Sequence, residues 1–255
     1  MIEIPYQQMS QIAPLFRGWE ETMVWSCLQG CMGRAWADSA AAPRSARILI
    51  GDFCFLAGAP QQALLWSFPQ PFPSSFLLLV PRSQSWGDLI RQTHPASQPF
   101  TRYAIRKGTV FDRKLLERYT RRLPAGYTLR RIDRALYHTV LQTPWCKDFC
   151  SQFPSWESYA AHGLGVLALR GGEIASGASS YTYYKGGIEI EVDTNKPHTR
   201  QGLALACAAQ LILDCLDKNL YPSWDAANPA SVRLAEKLGY RLAGEYETFF
   251  LPLAK

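Results

Sequence analysis

The segment that most constrains this 255-residue chain is Ile188–Ala204, IEIEVDTNKPHTRQGLA, which runs on into LALACAAQLILDCLDKN. It reads as a strand, a short loop ending at Gly202, and an amphipathic helix. A glycine at such a joint lets the backbone approach a ligand closely. The first helical N–H groups then point at that ligand without intrahelical partners, a geometry suited to a pyrophosphate. The spacing alone is not specific, because many α/β proteins join strand to helix through glycine.

The continuation narrows the reading. In YPSWDAANPASVRLAEKLGYRL, residues 221–242, a short strand ends near Asp225 and a helix runs from about Pro229 to Leu238. Asn228 is placed at its N-cap, Pro229 at its first turn and Gly239 just past its end. A last strand begins at Tyr240.

This order of elements resembles the acyl-CoA-binding half of the GNAT acyltransferases. The motifs EIEVDT, GLA, YPSWDA-N and S-V-x-L-A-E-K-L-G-Y are similar to the bacterial branch that includes zwittermicin-resistance-type acetyltransferases; GDFCFLAG and TRYAIRK extend the likeness faintly into the N-terminal half. The resemblance implies acetyl-CoA as acyl donor and an α/β (α+β) fold with a mixed sheet flanked by helices. It implies cofactor contacts from Val192, Asp193, Thr194, Thr199, Arg200, Gln201, Gly202, Leu203, Ala204, Asn228 and Ser231. It also places a catalytic glutamate on the strand, Glu191 or Glu189, and a bulge that splays that strand.

The residues support a base there independently. A primary amine is protonated near neutral pH and must lose its proton before attacking a thioester. Glu189, Glu191 and Asp193 alternate with Ile188, Ile190 and Val192, so a regular strand puts the three carboxylates on one face. Mutual repulsion should then raise at least one pKa. The alternative is a solvent-facing acidic row. His198, in the loop, reads as a surface histidine.

Two departures stand out. The family loop is Arg/Gln-x-x-Gly-x-Gly/Ala, whereas here Thr199 fills the first position and Arg200 and Gln201 directly precede Gly202. Many relatives place a tyrosine in the last helix to protonate the leaving thiolate; the matching residue is Ala235. Tyr240 and Tyr246 are weak substitutes. Ala235 keeps open a second reading, a catalytically silent CoA-binding sensor or partner-binding module.

Charge suggests a third. Residues 1–135 hold 17 Lys and Arg against 9 Asp and Glu, with the excess between Arg102 and Arg134. Such a stripe can bind nucleic acid, and acetylation of an amine carried on RNA would use it. However, Arg113, Lys114, Arg118, Arg121 and Arg122 lie on a helix whose apolar side is Leu115, Leu116, Tyr119 and Leu123, so a solvated face, or a contact to the 3′-phosphate of CoA, is the plainer expectation.

The remaining expectations are broad. No run reaches the roughly 18 apolar residues of a membrane span, and no signal-peptide pattern opens the chain, so a cytoplasmic protein is expected, monomeric or homodimeric, with a small-molecule amine acceptor and no membrane partner. Seven scattered cysteines fit a reducing compartment. Cys27/Cys31 and Cys146/Cys150 could supply four thiolates to zinc, but no nearby histidine supports a metal and buried thiols are expected. Residues 1–125 read as a mixed α/β accessory half shaping the acceptor pocket, or as a divergent copy of the second half. Residues 126–255 read as the GNAT-like domain, the boundary being LPAGYTLRRID.

Overall fold

Short apolar runs separated by turn residues become thirteen strands and seven α-helices in the computed structural model, which describes residues 1–66, 68 and 74–253. The first part of the chain holds β1 (Ile2–Ile4), two 3-10 segments (Tyr6–Gln11, Ala13–Phe16), α1 (Thr22–Leu28), β2 (Arg34–Ala37), β3 (Ser45–Ile50), β4 (Phe53–Gly58), a 3-10 turn (Gln62–Leu65), β5 (Phe76–Pro81), α2 (Gln84–Thr93) and β6 (Gln98–Ile105). After α3 (Arg113–Thr120) come β7 (Tyr127–Arg131), α4 (Arg134–Gln142), α5 (Trp156–His162), β8 (Gly165–Arg170), β9 (Glu173–Tyr184) and β10 (Gly187–Thr194). The chain closes with α6 (Leu203–Asp217), β11 (Tyr221–Ser223), β12 (Asp225–Ala226), α7 (Pro229–Lys237) and β13 (Leu242–Pro252).

Two compact units result. One comprises residues 1–102 with 245–255, the other residues 103–244. The sequence suggested a boundary at 125/126, and the structure divides elsewhere for two packing reasons. Leu116 of α3 is fully buried in the core that α6 builds, so 103–125 belong with the second unit. The end of β13 pairs antiparallel with β5, Phe249 opposite Leu79, and buries Phe249 and Leu251 with Leu77, Leu79 and Trp86 in the first unit.

Each unit is a mixed sheet, and both repeat one order: a strand, helical segments, three antiparallel strands, a fourth strand parallel to the third, and a helix. In the first unit β1 to β4 are antiparallel and β5 runs parallel to β4. In the second β7 to β10 are antiparallel and β11 runs parallel to β10. The N-terminal half is therefore a topological copy that the residues did not reveal. The copies differ between the third and fourth strands. The second unit has the 15-residue α6 there, whereas the described part of the first unit has only the turn Gln62–Leu65. The Pro-rich stretch FPQPFPSS, residues 68–75, reads as a loop from its sequence and lies largely outside the described residues.

Two stretches that read as continuous helix from their sequence, residues 8–30 and 145–160, are interrupted in the structure. The stretch 8–30 is broken by Pro14 and Gly18 into 3-10 turns followed by α1. The stretch 145–160 is a 3-10 turn at Lys147–Phe149, then Pro154, then α5 opened by Ser155, whose hydroxyl caps the Ser158 amide. Proline inside a helix removes a donor and clashes with the preceding turn, so the break falls where it must.

Candidate active site

The second unit opens at the carboxyl end of β10. Parallel pairing with β11 runs from Gly187/Tyr221 to Glu189/Ser223 and stops there. Beyond Ser223 the chain turns away, and Asp225 and Ala226 pair with Ala104 and Tyr103 on β6 instead. Pairing with β9 continues to Thr194 on the other side. The outer edge of β10 from Ile190 onward thus faces a wedge between two diverging strands.

The bulge expected on β10 lies on its neighbour β9 instead. Glu189 lies opposite Thr182 and Ile190 opposite Ser180, which leaves Tyr181 as the extra residue on β9. Because the insertion is in β9, alternation along β10 survives. Ile188, Ile190 and Val192 all pack in the core with α6, so by strand alternation the three carboxylates take the other face.

Their environments differ. Glu189 is 3% exposed, Glu191 half-buried and Asp193 exposed. For Asp193, desolvation by its neighbours raises the pKa, while the Thr194 amide, 2.6 Å from Oδ1, opposes the rise. The cause is desolvation rather than repulsion within the row. Glu189 sits among phenols: it contributes to the raised pKa of Tyr184, for which burial is the larger cause. Ser176 Oγ donates to the Asp193 carbonyl at 2.9 Å and lies 2.8 Å from Thr194 Oγ1, fixing the end of the strand.

The loop after β10 is built to leave amides open. Arg200 has φ 61° and Gly202 φ 80°. A left-handed backbone is natural for glycine and costly for arginine. Gly202 is the N-cap of α6 and supplies no capping side chain, whereas Asp112, Asp133, Ser155 and Asn228 cap α3, α4, α5 and α7. The longest helix of the protein therefore begins with unpartnered amides near Leu203 and Ala204, and with the positive end of its dipole. Thr199 Oγ1 donates to the Lys196 carbonyl at 3.0 Å, so its hydroxyl closes the turn. Arg200 and Gln201 are exposed.

Tyr127 of β7, which the sequence did not single out, holds this loop. Its hydroxyl donates to Gln201 Oε1 at 3.0 Å and lies 2.7 Å from His198 Nδ1. His198 is a loop anchor, half-buried rather than a free surface group. No sequence signal could have paired residues 71 positions apart.

On α7, Asn228 Oδ1 accepts the Ser231 amide at 3.0 Å, and Ser231 Oγ accepts from Trp224 Nε1 at 3.1 Å. Both residues stand beside the wedge but also serve structural roles. Ala235 is fully buried in the core. Tyr240 is buried too, and its hydroxyl donates to the Pro222 carbonyl at 2.6 Å; burial pushes its pKa far above the ordinary value. It is a core residue, not a proton donor to a ligand. Tyr246 belongs to the other unit, where its hydroxyl accepts from Arg102 Nε at 3.2 Å.

Among the described residues no cluster of three or more His, Cys, Asp or Glu forms a metal site, and no helix is long and apolar enough to cross a membrane. Six cysteines are buried and Cys31 is partly exposed. Within the basic stretch, Arg113 pairs with Asp217, Arg121 with Glu117, Arg130 with Asp133, Arg131 with Asp214 and Arg134 with Glu157.

Three comparisons bear on this geometry. The family model for GNAT acetyltransferases matches residues 13–249. The chain is 28% identical over 135 residues to the uncharacterized N-acetyltransferase YdfB of Bacillus subtilis, an alignment spanning 51% of each chain, so the match covers about half the length of that curated relative. A crystal structure of a GCN5-related N-acetyltransferase-like protein from Streptococcus suis superposes with a TM-score of 0.91 at 44% identity, covering 96% of this chain and 98% of the other. An X-ray structure of a Drosophila protein shares the fold at 11% identity, with a TM-score of 0.61 over 98% and 97% of the two chains.

Proposed function

This chain belongs to the GNAT acetyltransferase family, a family of acyltransferases, and we propose that it moves an acetyl group from acetyl-CoA to a primary amine of a small or peptide-like acceptor. The observation that carries the reading is the uncapped N-terminus of α6 beside the wedge between β10 and β11. The amides of Arg200 to Ala204 would hold the pyrophosphate, and the open edge of β10 at Val192 to Thr194 would pair with the amide-bearing arm of the cofactor. Asn228 and Ser231 would flank that arm from α7. Placed this way, the thioester is presented next to the carboxylate face.

Glu191 is the better base of the two glutamates. It is half-buried at the mouth of the wedge, where an acceptor amine and a relaying water can reach it, whereas Glu189 is enclosed at the last paired position. A polyamine-like acceptor of the zwittermicin-resistance type fits a row of carboxylates, and on this reading the protein works in the cytoplasm. Calorimetric titration with acetyl-CoA and with CoA tests the first step. Micromolar binding is expected, and no binding at millimolar ligand would refute it.

One observation favours a second reading. Ala235 is buried at the position where many relatives carry the tyrosine, and Tyr240, just past α7, is buried with its hydroxyl bonded to the Pro222 carbonyl, so neither is placed to protonate a leaving thiolate. A CoA-binding sensor without turnover is consistent with that, and a broad amine panel that never consumes acetyl-CoA would favour it.

A further inference from the structure

We propose that Lys107 is a catalytic residue, its ammonium supplying the positive charge that the departing thiolate requires; this rests on the acetyl-CoA reading above. Lys107 Nζ lies 2.6 Å from Ser223 Oγ and 3.5 Å from the Trp224 carbonyl oxygen, donating to both. Ser223 is the last β11 residue paired with β10, and Trp224 is where the strands part. Residues side by side in a parallel ladder send their side chains to the same face. Ser223 and Glu189 are such a pair, so Lys107 reaches the wedge on the carboxylate face, at its closed end.

The segment bearing Lys107 is fixed there. The Arg106 amide donates to the Arg241 carbonyl at 2.8 Å, and the Thr109 amide to Tyr221 Oη at 3.2 Å. A four-carbon stem lets the ammonium swing from Ser223 toward a sulfur in the wedge while its root stays anchored.

The chemistry needs a cation at this place. Attack of the neutral amine forms the C–N bond, and collapse of the tetrahedral adduct breaks the C–S bond with its electron pair left on sulfur. The surplus amine proton goes to Glu191 and then to water. The thiolate remains paired with the Lys107 ammonium until it takes a proton from solvent on release. A cation already held beside the wedge needs only a side-chain rotation to meet the charge that develops on sulfur.

The test uses bound CoA and requires no acceptor. The ultraviolet absorbance of the thiolate is titrated against pH for CoA on the protein, with desulfo-CoA as the blank. An adjacent cation lowers a thiol pKa by roughly one unit or more. The bound thiol should therefore ionise about one pH unit or more below free CoA, Lys107→Met should abolish the shift, and Lys107→Arg should retain it. A thiol titrating at its free value on the parent protein, or an unchanged shift in Lys107→Met, overturns the role of Lys107 while leaving the cofactor reading intact. A parent protein that does not bind CoA overturns both.

Discussion

Tyr127 Oη and His198 Nδ1 lie 2.7 Å apart, with the two rings edge to face, so a strand at the far edge of the second sheet holds the loop that precedes α6. The same hydroxyl donates to Gln201. When its proton goes to Gln201, the histidine must donate from Nδ1. Removing that hydroxyl in Tyr127→Phe costs about 1 kcal/mol, typical of one net hydrogen bond, and should weaken CoA binding roughly fivefold. Calorimetry on the variant measures it; unchanged affinity would mean the loop holds its shape without the anchor.

Gly202 gives a graded test of the amide site. Nothing lies within 4 Å of a Cβ built there, so alanine meets open space but inherits φ 80°. Gly202→Ala should lose about 1 kcal/mol of stability and bind CoA somewhat more weakly. Gly202→Glu adds bulk and like charge facing the phosphates and should abolish binding. If Gly202→Glu binds as well as the parent, the phosphates lie elsewhere.

The two glutamates should behave differently. Glu191→Gln is expected to lower kcat on the order of a hundredfold or more with CoA affinity nearly unchanged, as loss of a general base does. Glu189→Gln, at the closed end of the wedge, should act mainly on stability. Rates and melting curves for both variants separate the roles, and equal activity of parent and Glu191→Gln would remove that residue from the proton path.

The basic stretch should not bind RNA tightly. Arg113, Arg121, Arg130, Arg131 and Arg134 are engaged in ion pairs within their own unit. Gel-shift titrations should show weak complexes that vanish at physiological salt, since an unspecific electrostatic contact is lost by counterion competition. A salt-resistant complex would instead promote the nucleic-acid acceptor.

The thiols offer a pH test of the cores. Burial raises the pKa of Cys27, Cys54, Cys150 and Cys207 to about 12 and of Cys146 to about 11. A thiol reacts as thiolate, so at pH 8 these sites hold about one part in a thousand or less of the reactive form. Native-state alkylation followed by mass spectrometry should label Cys31 first. The other six should become reactive only on unfolding or above about pH 11.

What the sequence determined is local. The alternation in IEIEVDT set which residues of β10 face α6, Gly202 set the joint, and Asn228, Pro229 and Gly239 set the limits of α7, because each depends on neighbours a few residues away. What only the tertiary structure decided depends on strand partners distant in the chain. The pairing of β13 with β5 moved the end of the chain into the first unit, and the turn of β12 onto β6 opened the wedge. Tyr127 meets His198 across 71 positions and Lys107 meets Ser223 across 116. Strand register and buried faces bring such pairs together, and neither leaves a periodic trace in one sequence.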